Sequence, residues 1–479
     1  MTSQAGTEPR PGLATFAAPL LVGVSVLLTV TIGLLGPSAM VPGLAGPAWQ
    51  PPYWVAAAPA PHLVIALGAT AVVTGGLGLA VGLLHLRCGG RLPARGLVMA
   101  GYGAAVVLAF LPPSGSADHL NYAAYGRMVT LGLDPYAHGA VDLPGDPVAA
   151  AVERPWREEP SVYGPVATAV QALASWIGGD SVRLTIFVLS LVNAAAFIAT
   201  GLLLDRFTRA DPVLRSRAAL LWTANPLLLY HLVAGLHVDT LAIAFMVAAL
   251  MLNGTPAAGA MLGLGVAVKL NAGIVALGPA WELRRRPGRL ALVAGTALAV
   301  AAAGYLWAGA HAFDQVSRAG KAISLASYWR IVQGWLQAVV GTGSAYRGEI
   351  QVGAFVVMGL LAWALFRLQR PPADAVRVAA VLVVAYVFAT PYILPWYDGL
   401  AFALVAMWAV AGVELFLVAH LTLLSLAYLP ARVDGQPADL AWLTTVVRAQ
   451  VVPWLLLALT AALAWWAWRA GGRARRRPA

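Results

Sequence analysis

Apolar runs long enough to cross a lipid bilayer recur from one end of this chain to the other. A hydrocarbon core takes about 20 apolar residues to cross as a helix. In lipid each backbone amide must be satisfied within its own segment, so repeated runs of this kind confine the chain to a helical bundle. The residue content agrees, at 60% hydrophobic and 11% charged, and argues against an ordinary soluble domain. The expectation is an all-α, polytopic transmembrane bundle forming one continuous domain over 1–479. The first run, Gly12–Gly36, is too long for a cleaved signal segment and reads as a retained span. A single cysteine, Cys88, excludes an intramolecular disulfide.

Basic residues set the expected topology. Arginines cluster at the ends of apolar runs, as at Arg206–Arg217, Arg284–Arg289 and Arg473–Arg477. The positive-inside rule places such clusters in the cytoplasm, so they point to topology and not to nucleic acid. With both termini inside, twenty of the 31 Lys and Arg lie on the cytoplasmic side and nine outside. Arg183, at a span end, and Lys269, in a hairpin, make up the rest. This arrangement implies about twelve full spans plus one hairpin in a multi-pass plasma-membrane protein with a basic cytoplasmic tail at 469–479.

The hairpin is the stretch 256–281. Read as one span, it would send Arg284, Arg285, Arg286 and Arg289 outside. Read as two half-helices with Lys269-Leu270-Asn271 near the tip, it returns them inside. Broken helices are tolerated at depth where they line a cavity. Asn225-Pro226 should similarly kink the first of two spans packed into 218–253.

Two outer segments stand out. The stretch 113–180 is a large extracytoplasmic loop, and a loop that long inside a compact protein is usually a binding or catalytic one. Within it, Asp118–Leu131 reads as an amphipathic helix lying in the membrane interface, and Val166–Ile177 reads as a second short helix. Val141–Pro160 reads as irregular. The second outer loop, 310–349, breaks the charge rule with Arg318, Lys321, Arg330 and Arg347, which suggests an anionic ligand.

Under this topology Asp118, the His237/Asp239 turn, Lys269, the Arg318–Arg330 segment and Tyr397 converge on one face. Ionisable groups at membrane depth point to function. A sugar–phosphate–polyprenol donor would need such a set: a cation for the departing phosphate, a carboxylate to take the acceptor's proton, and an apolar groove for the chain. Each residue also has a plain structural reading. Asp118 could cap its helix. His237 and Asp239 could form a hydrogen-bonded turn. Lys269 could reach to the interface, and Arg318, Lys321 and Arg330 could meet lipid headgroups. Tyr392, Trp396 and Tyr397 could be interfacial anchors, the reading favoured for Trp396. His119, His237 and Asp239 do not meet a metal-ligand spacing, so no divalent metal or other cofactor is indicated.

The motifs Asp118-His-Leu-Asn-Tyr122-Ala-Ala-Tyr-Gly126, Gly132-Leu-Asp-Pro-Tyr136 and Tyr163-Gly-Pro165 occur in this order. They are followed by Asn225-Pro226, Gly235-x-His237-x-Asp239, Val268-Lys269 and Pro395-Trp-Tyr397. Together they resemble the actinobacterial polyprenol-phosphate-mannose-dependent α-(1→6)-mannosyltransferases, integral membrane enzymes of the GT-C superfamily. The resemblance runs from about Gly96 to Asp398. It implies a GT-C fold and a polyprenyl-phosphate-mannose donor. It also implies inversion at C1 onto a mannan or lipoglycan acceptor, with Asp118 as base on the extracytoplasmic side. His119, Tyr122, His237, Asp239, Lys269, Arg318, Arg330 and Tyr397 would then contact donor or acceptor. The sequence departs from the pattern in having Val238 where an Asn is expected and His119 where a second acid could follow Asp118. An enzyme using another donor, such as a polyprenyl-phosphate arabinofuranose, fits the same motifs. A transporter or flippase for a lipid-linked sugar would also want broken helices, but predicts repeated halves that the chain lacks. A lipid-binding scaffold would predict tolerance to loss of Asp118 and Lys269.

Overall fold

The computed structural model describes residues 13–314, 320, 322–368, 373–408, 410 and 412–476. Among these the only β-type pairing is a single bridge between Ser38 and Val41. Among the described residues six helices are long and apolar enough to cross a membrane: Thr15–Leu35, Pro61–Arg87, Val182–Thr208, Pro287–Ala308, Arg347–Phe366 and Ala438–Gly472. Shorter apolar helices are Ala94–Ala109, Asp239–Met251, Pro256–Val268, Ala375–Ala389 and Val413–Tyr428; Ala375–Ala389 is buried along almost its whole length, whereas Ala94–Ala109 exposes Met99, Val106 and Val107. The fold is that of a helical membrane protein. The last helix begins earlier than the sequence suggests. The break between apolar runs at 430–450 reads as a loop, but a π-helical turn, Leu443–Val451, runs straight into Val452–Arg476.

Two helix breaks organise the centre. Helix Pro212–Leu221 stops at Trp222, and the Asn225 side chain accepts from the amides of Leu227 and Leu228 to restart it at Pro226. A π-helix, Leu229–Ala234, then leads into the turn before Asp239. Proline removes one helical hydrogen bond, and the Asn cap supplies a replacement at the restart. The second break is at Lys269. Helix Pro256–Val268 ends there in an extended residue (φ −153°, ψ 117°), and the chain continues as a 3-10 turn, Leu270–Ala276, and helix Leu277–Leu283.

Contacts separate the bundle into two ends. Lys269 bonds Asp239, so the start of Asp239–Met251 and the end of Pro256–Val268 lie together. Glu282 accepts from the Ala375 amide, which places the far end of the broken stretch beside the start of Ala375–Ala389. Arg217 donates to the carbonyls of Val405 and Trp408 and pairs with Glu414 at 3.2 Å, at the finish of helix Asp398–Met407. The arginine clusters around Arg217 and Arg284 therefore sit at the end away from Asp239.

The large loop has its own apolar core, with Leu120, Tyr122, Tyr125 and Met128 packed against Val182, Ile186 and Leu189. Helix Asp118–Thr130 is buried over most of its length, and two 3-10 turns, Ala140–Asp142 and Arg154–Trp156, and the four-residue helix Pro147–Ala150 follow it before Pro165. It is thus covered by the protein's own segments and does not present the open apolar face of an amphipathic surface helix. The reason is close packing: a Cβ on Gly126 would collide with the Gln171 carbonyl, so only glycine lets helix Pro165–Gly178 cross there. The exposed apolar edge belongs to that second helix, at Leu173, Trp176 and Ile177. The second outer loop also holds an amphipathic helix, Trp329–Val339, that the sequence reading did not anticipate. Its first turn is anchored by Tyr328 and Trp329, which donate to the carbonyls of Phe388 and Ala389.

Candidate active site

Asp118 is the first residue of its helix, and the capping position before it, Ala117, makes no side-chain cap bond. The backbone amide of Asp118 instead donates to Ser116 Oγ at 3.1 Å. Two hydrogen bonds fix this entry: Ser114 N to Ala234 O and Gly115 N to Met40 O. Gly115 has φ +78°, and a Cβ there would strike the Tyr230 hydroxyl. The Asp118 side chain is 26% exposed in otherwise enclosed surroundings. Loss of water pushes its carboxyl up to about 6, with Asp239 and Glu153 adding to the rise and Lys269 and Ser116 opposing it.

His237 lies opposite, its Nδ1 3.6 Å from Asp118 Oδ2 and its side chain fully buried. Its ring stacks on Trp396, with centroids 3.5 Å apart and planes 15° from parallel. Neither ring nitrogen has a hydrogen-bond partner. Burial holds the imidazole well below its ordinary pKa, and Lys269, His231 and His119 add to this, so His237 is neutral. The turn that presents it follows the π-helix, a feature frequent at functional sites.

Asp239, two residues on, holds Lys269 with both oxygens, at 2.7 and 2.8 Å. Lys269 Nζ also lies 4.2 Å from the Tyr397 ring centroid. An ammonium has three N–H donors, so two on Asp239 leave one for a ligand. A cavity beside the pair is lined by Lys269, Asp239, Asn271, Tyr386 and Tyr397 with apolar Ile243 and Val383. The Tyr163-Gly-Pro turn is pinned against this break. Gly164 N donates to Val268 O at 2.9 Å, and a Cβ on Gly164 would collide with the Ala267 carbonyl. Tyr163 in turn donates to the Tyr122 hydroxyl at 3.2 Å, the rings meeting edge to face at 5.0 Å. Burial, and after it the Asp118 charge, keeps the Tyr122 phenol protonated.

The predicted residues thus divide. Asp118, Tyr122, His237, Asp239, Lys269 and Tyr397 form one cluster. His119 is fully buried beneath it, both ring nitrogens without a partner, its pKa lowered to about 3 by burial and by Arg432. Arg330 is exposed and bonds Gln333 on its own helix at 2.9 Å. Arg318 and Lys321 lie outside the described residues. Among the described residues no three or more His, Cys, Asp or Glu side chains come together as a metal-holding group. Trp396 corrects the favoured reading: it is 3% exposed and stacked inside the site, not an interfacial anchor. Its position next to Tyr397 in the Pro-Trp-Tyr motif was the available signal. Tyr163 was also missed as a site residue, although its motif was noted.

The fold and site define a helical membrane protein with a carboxylate, a lysine and a neutral histidine gathered at one end of its bundle. The family described as alpha-(1->6)-mannopyranosyltransferase, N-terminal domain, matches residues 20–285, more than half of the chain, and the chain belongs to this family. It is 28% identical over 304 residues to alpha-(1->6)-mannopyranosyltransferase B of Corynebacterium glutamicum, covering 61% of this chain and 48% of that one. It is 25% identical over 408 residues to the A enzyme of the same organism, covering 74% and 79%. To the A enzyme of Mycobacterium tuberculosis it is 29% identical over 365 residues, covering 69% and 68%. The match to the first of these relatives spans about half of that relative's length.

Proposed function

We propose that the chain is a GT-C glycosyltransferase that moves mannose from a polyprenyl-phosphate-mannose to a mannan or lipoglycan acceptor, forming α-(1→6) linkages. The observation that carries this reading is a partly open Asp118 carboxylate beside His237, within the electrostatic reach of a lysine that Asp239 holds at a helix break. Family membership supports the linkage and sugar.

In this mechanism Asp118 takes the proton from the acceptor hydroxyl as its oxygen attacks C1 of the mannose. The bond from C1 to the phosphate oxygen breaks from the opposite face, inverting the centre, and the polyprenyl phosphate leaves with the electron pair. The free donor of Lys269 meets the negative charge growing on the phosphate. Asp239 holds that ammonium in place, and Tyr397 covers it. Tyr122, His119 and His237 stand on the Asp118 side, where the acceptor would enter. Arg318 and Arg330 are proposed to reach the donor phosphate from the second outer loop. The arginine-rich ends support a plasma-membrane topology with the site extracytoplasmic and the termini in the cytoplasm.

The test is mannose transfer in proteoliposomes from a short-chain mannosyl-phosphate-polyprenol to a short α-(1→6)-mannoside. Wild type should transfer, and Asp118→Asn should fall at least about a hundredfold, the scale of a lost general base. Full activity in Asp118→Asn would remove the residue from the mechanism. Failure of folded wild type across a panel of lipid-linked sugars would sink the transferase reading.

A further inference from the structure

A histidine ring is normally turned into place by a hydrogen bond from one of its nitrogens. His237 lacks that restraint, since neither nitrogen has a partner. What holds its plane is the indole of Trp396, stacked at 3.5 Å and 15°. Trp396 is itself braced by Tyr428, edge-on at 5.2 Å and 89°, and by Tyr397 at 6.4 Å and 81°. The Tyr428 ring carries the Arg448 guanidinium at 4.7 Å. A line of planar groups from the last helix thus ends at His237, whose Nδ1 edge faces Asp118 Oδ2 at 3.6 Å.

Beside the Asp118 carboxylate stand the Ser116 hydroxyl, two residues back on its own segment, and the Nδ1 edge of His237. A general base whose carboxylate can rotate presents its lone pair in the wrong direction part of the time, and misplacement by about 1 Å can cost about a hundredfold in rate. We propose that Trp396 is a positioning residue for the transfer. By stacking, it fixes the plane of neutral His237 so that Nδ1–H holds Oδ2 of Asp118 and leaves Oδ1 turned to the acceptor hydroxyl. The 3.6 Å separation closes to a hydrogen bond when the acceptor fills the site, as catalytic contacts commonly do. The proposal rests on Asp118 being the base and adds what aims it. It gives His237 a task toward Asp118 and not toward the sugar.

The experiment is a kinetic double-mutant cycle in proteoliposomes with the same donor and acceptor. Each variant is checked for a monodisperse peak and a thermal transition in detergent. Trp396→Leu and His237→Gln are each expected to lower kcat about tenfold or more, with KM for both substrates within about twofold. The double variant should fall no further than the worse single one, because the residues act as one unit. Trp396→Phe, which keeps a flat ring, should restore most of the kcat lost in Trp396→Leu. Multiplicative losses in the double variant would overturn the proposal, as would a loss in KM instead of kcat. Equal losses in Phe and Leu, or full kcat in Leu, would overturn it too. If Trp396→Leu does not fold, the comparison of Trp396→Phe with Trp396→Met carries the same decision. Asp118→Asn run alongside separates the two readings: activity there defeats the base assignment, whereas inactivity with an unaffected Trp396→Leu defeats only the positioning.

Discussion

At the scale of single residues, Asp118 bears opposed demands. A base must be ionised, yet burial lifts its carboxyl to about 6. The acid limb of kcat/KM is therefore expected near pH 6, not near 4 as for a solvated aspartate. Rate should rise with pH through that window as the carboxylate forms. Stability should move the other way. Between about pH 4 and 6 the folded state keeps a proton the unfolded chain has released, so folding weakens as pH rises across it. Asp118→Asn should thus abolish transfer while raising the melting temperature near neutral pH, measurable by scanning fluorimetry in detergent. Lys269 and Asp239 make a second residue-scale case. Lys269→Met should weaken donor use strongly. Asp239→Asn should do so less, since it loosens the ammonium without removing it; steady-state kinetics at varied donor would show the order.

At the scale of elements, the site is made where helices stop. The Lys269 break, the Asn225 restart and the π-helix before His237 each interrupt a membrane helix, and each delivers a site residue or shapes the turn that does. The breaks were legible because proline after asparagine and a lysine in an apolar run are local signals. The burial of helix Asp118–Thr130 was not, because it depends on a glycine meeting a carbonyl 45 residues away. The same dependence makes Gly164 sensitive. Gly164→Ala has no room against Ala267 and should shift the turn from Lys269, lowering kcat at least about tenfold with the protein still folded. Retained activity in a folded Gly164→Ala protein would show that the turn need not touch the break.

For the whole molecule, distant segments are tied across the site end. Arg432 pairs with Glu153 at 2.6 Å and also donates to the carbonyls of Ser38 and Val41, joining three segments far apart in the chain. Both side chains are largely buried, at 12% and 4% exposed. Removing one partner of such a pair leaves a buried charge and costs about 3–5 kcal/mol. Arg432→Met should therefore lower thermal stability markedly, and Glu153→Gln added to it should restore part of the loss. Sidedness has its own test, because the exposed native Cys88 lies in the arginine-rich loop after Pro61–Arg87. An impermeant maleimide should label Cys88 only in inside-out vesicles. Ala137→Cys, made after replacing Cys88 with Ser, should label only from outside.

The sequence alone determined the solvent, the class of fold and the order of the motifs. Apolar runs and arginine spacing are properties of neighbouring residues, and lipid leaves a chain of that pattern few ways to satisfy its amides. The tertiary structure decided which polar residues meet. Trp396 reads as a surface anchor from its neighbours and is a buried stacking partner in the fold, 159 residues from His237. Asp239 reads as a substrate contact from its motif, and only the fold shows its grip on Lys269, thirty residues on. Such pairings depend on helices crossing at particular heights, and those heights are set by close glycine contacts between segments far apart in the chain.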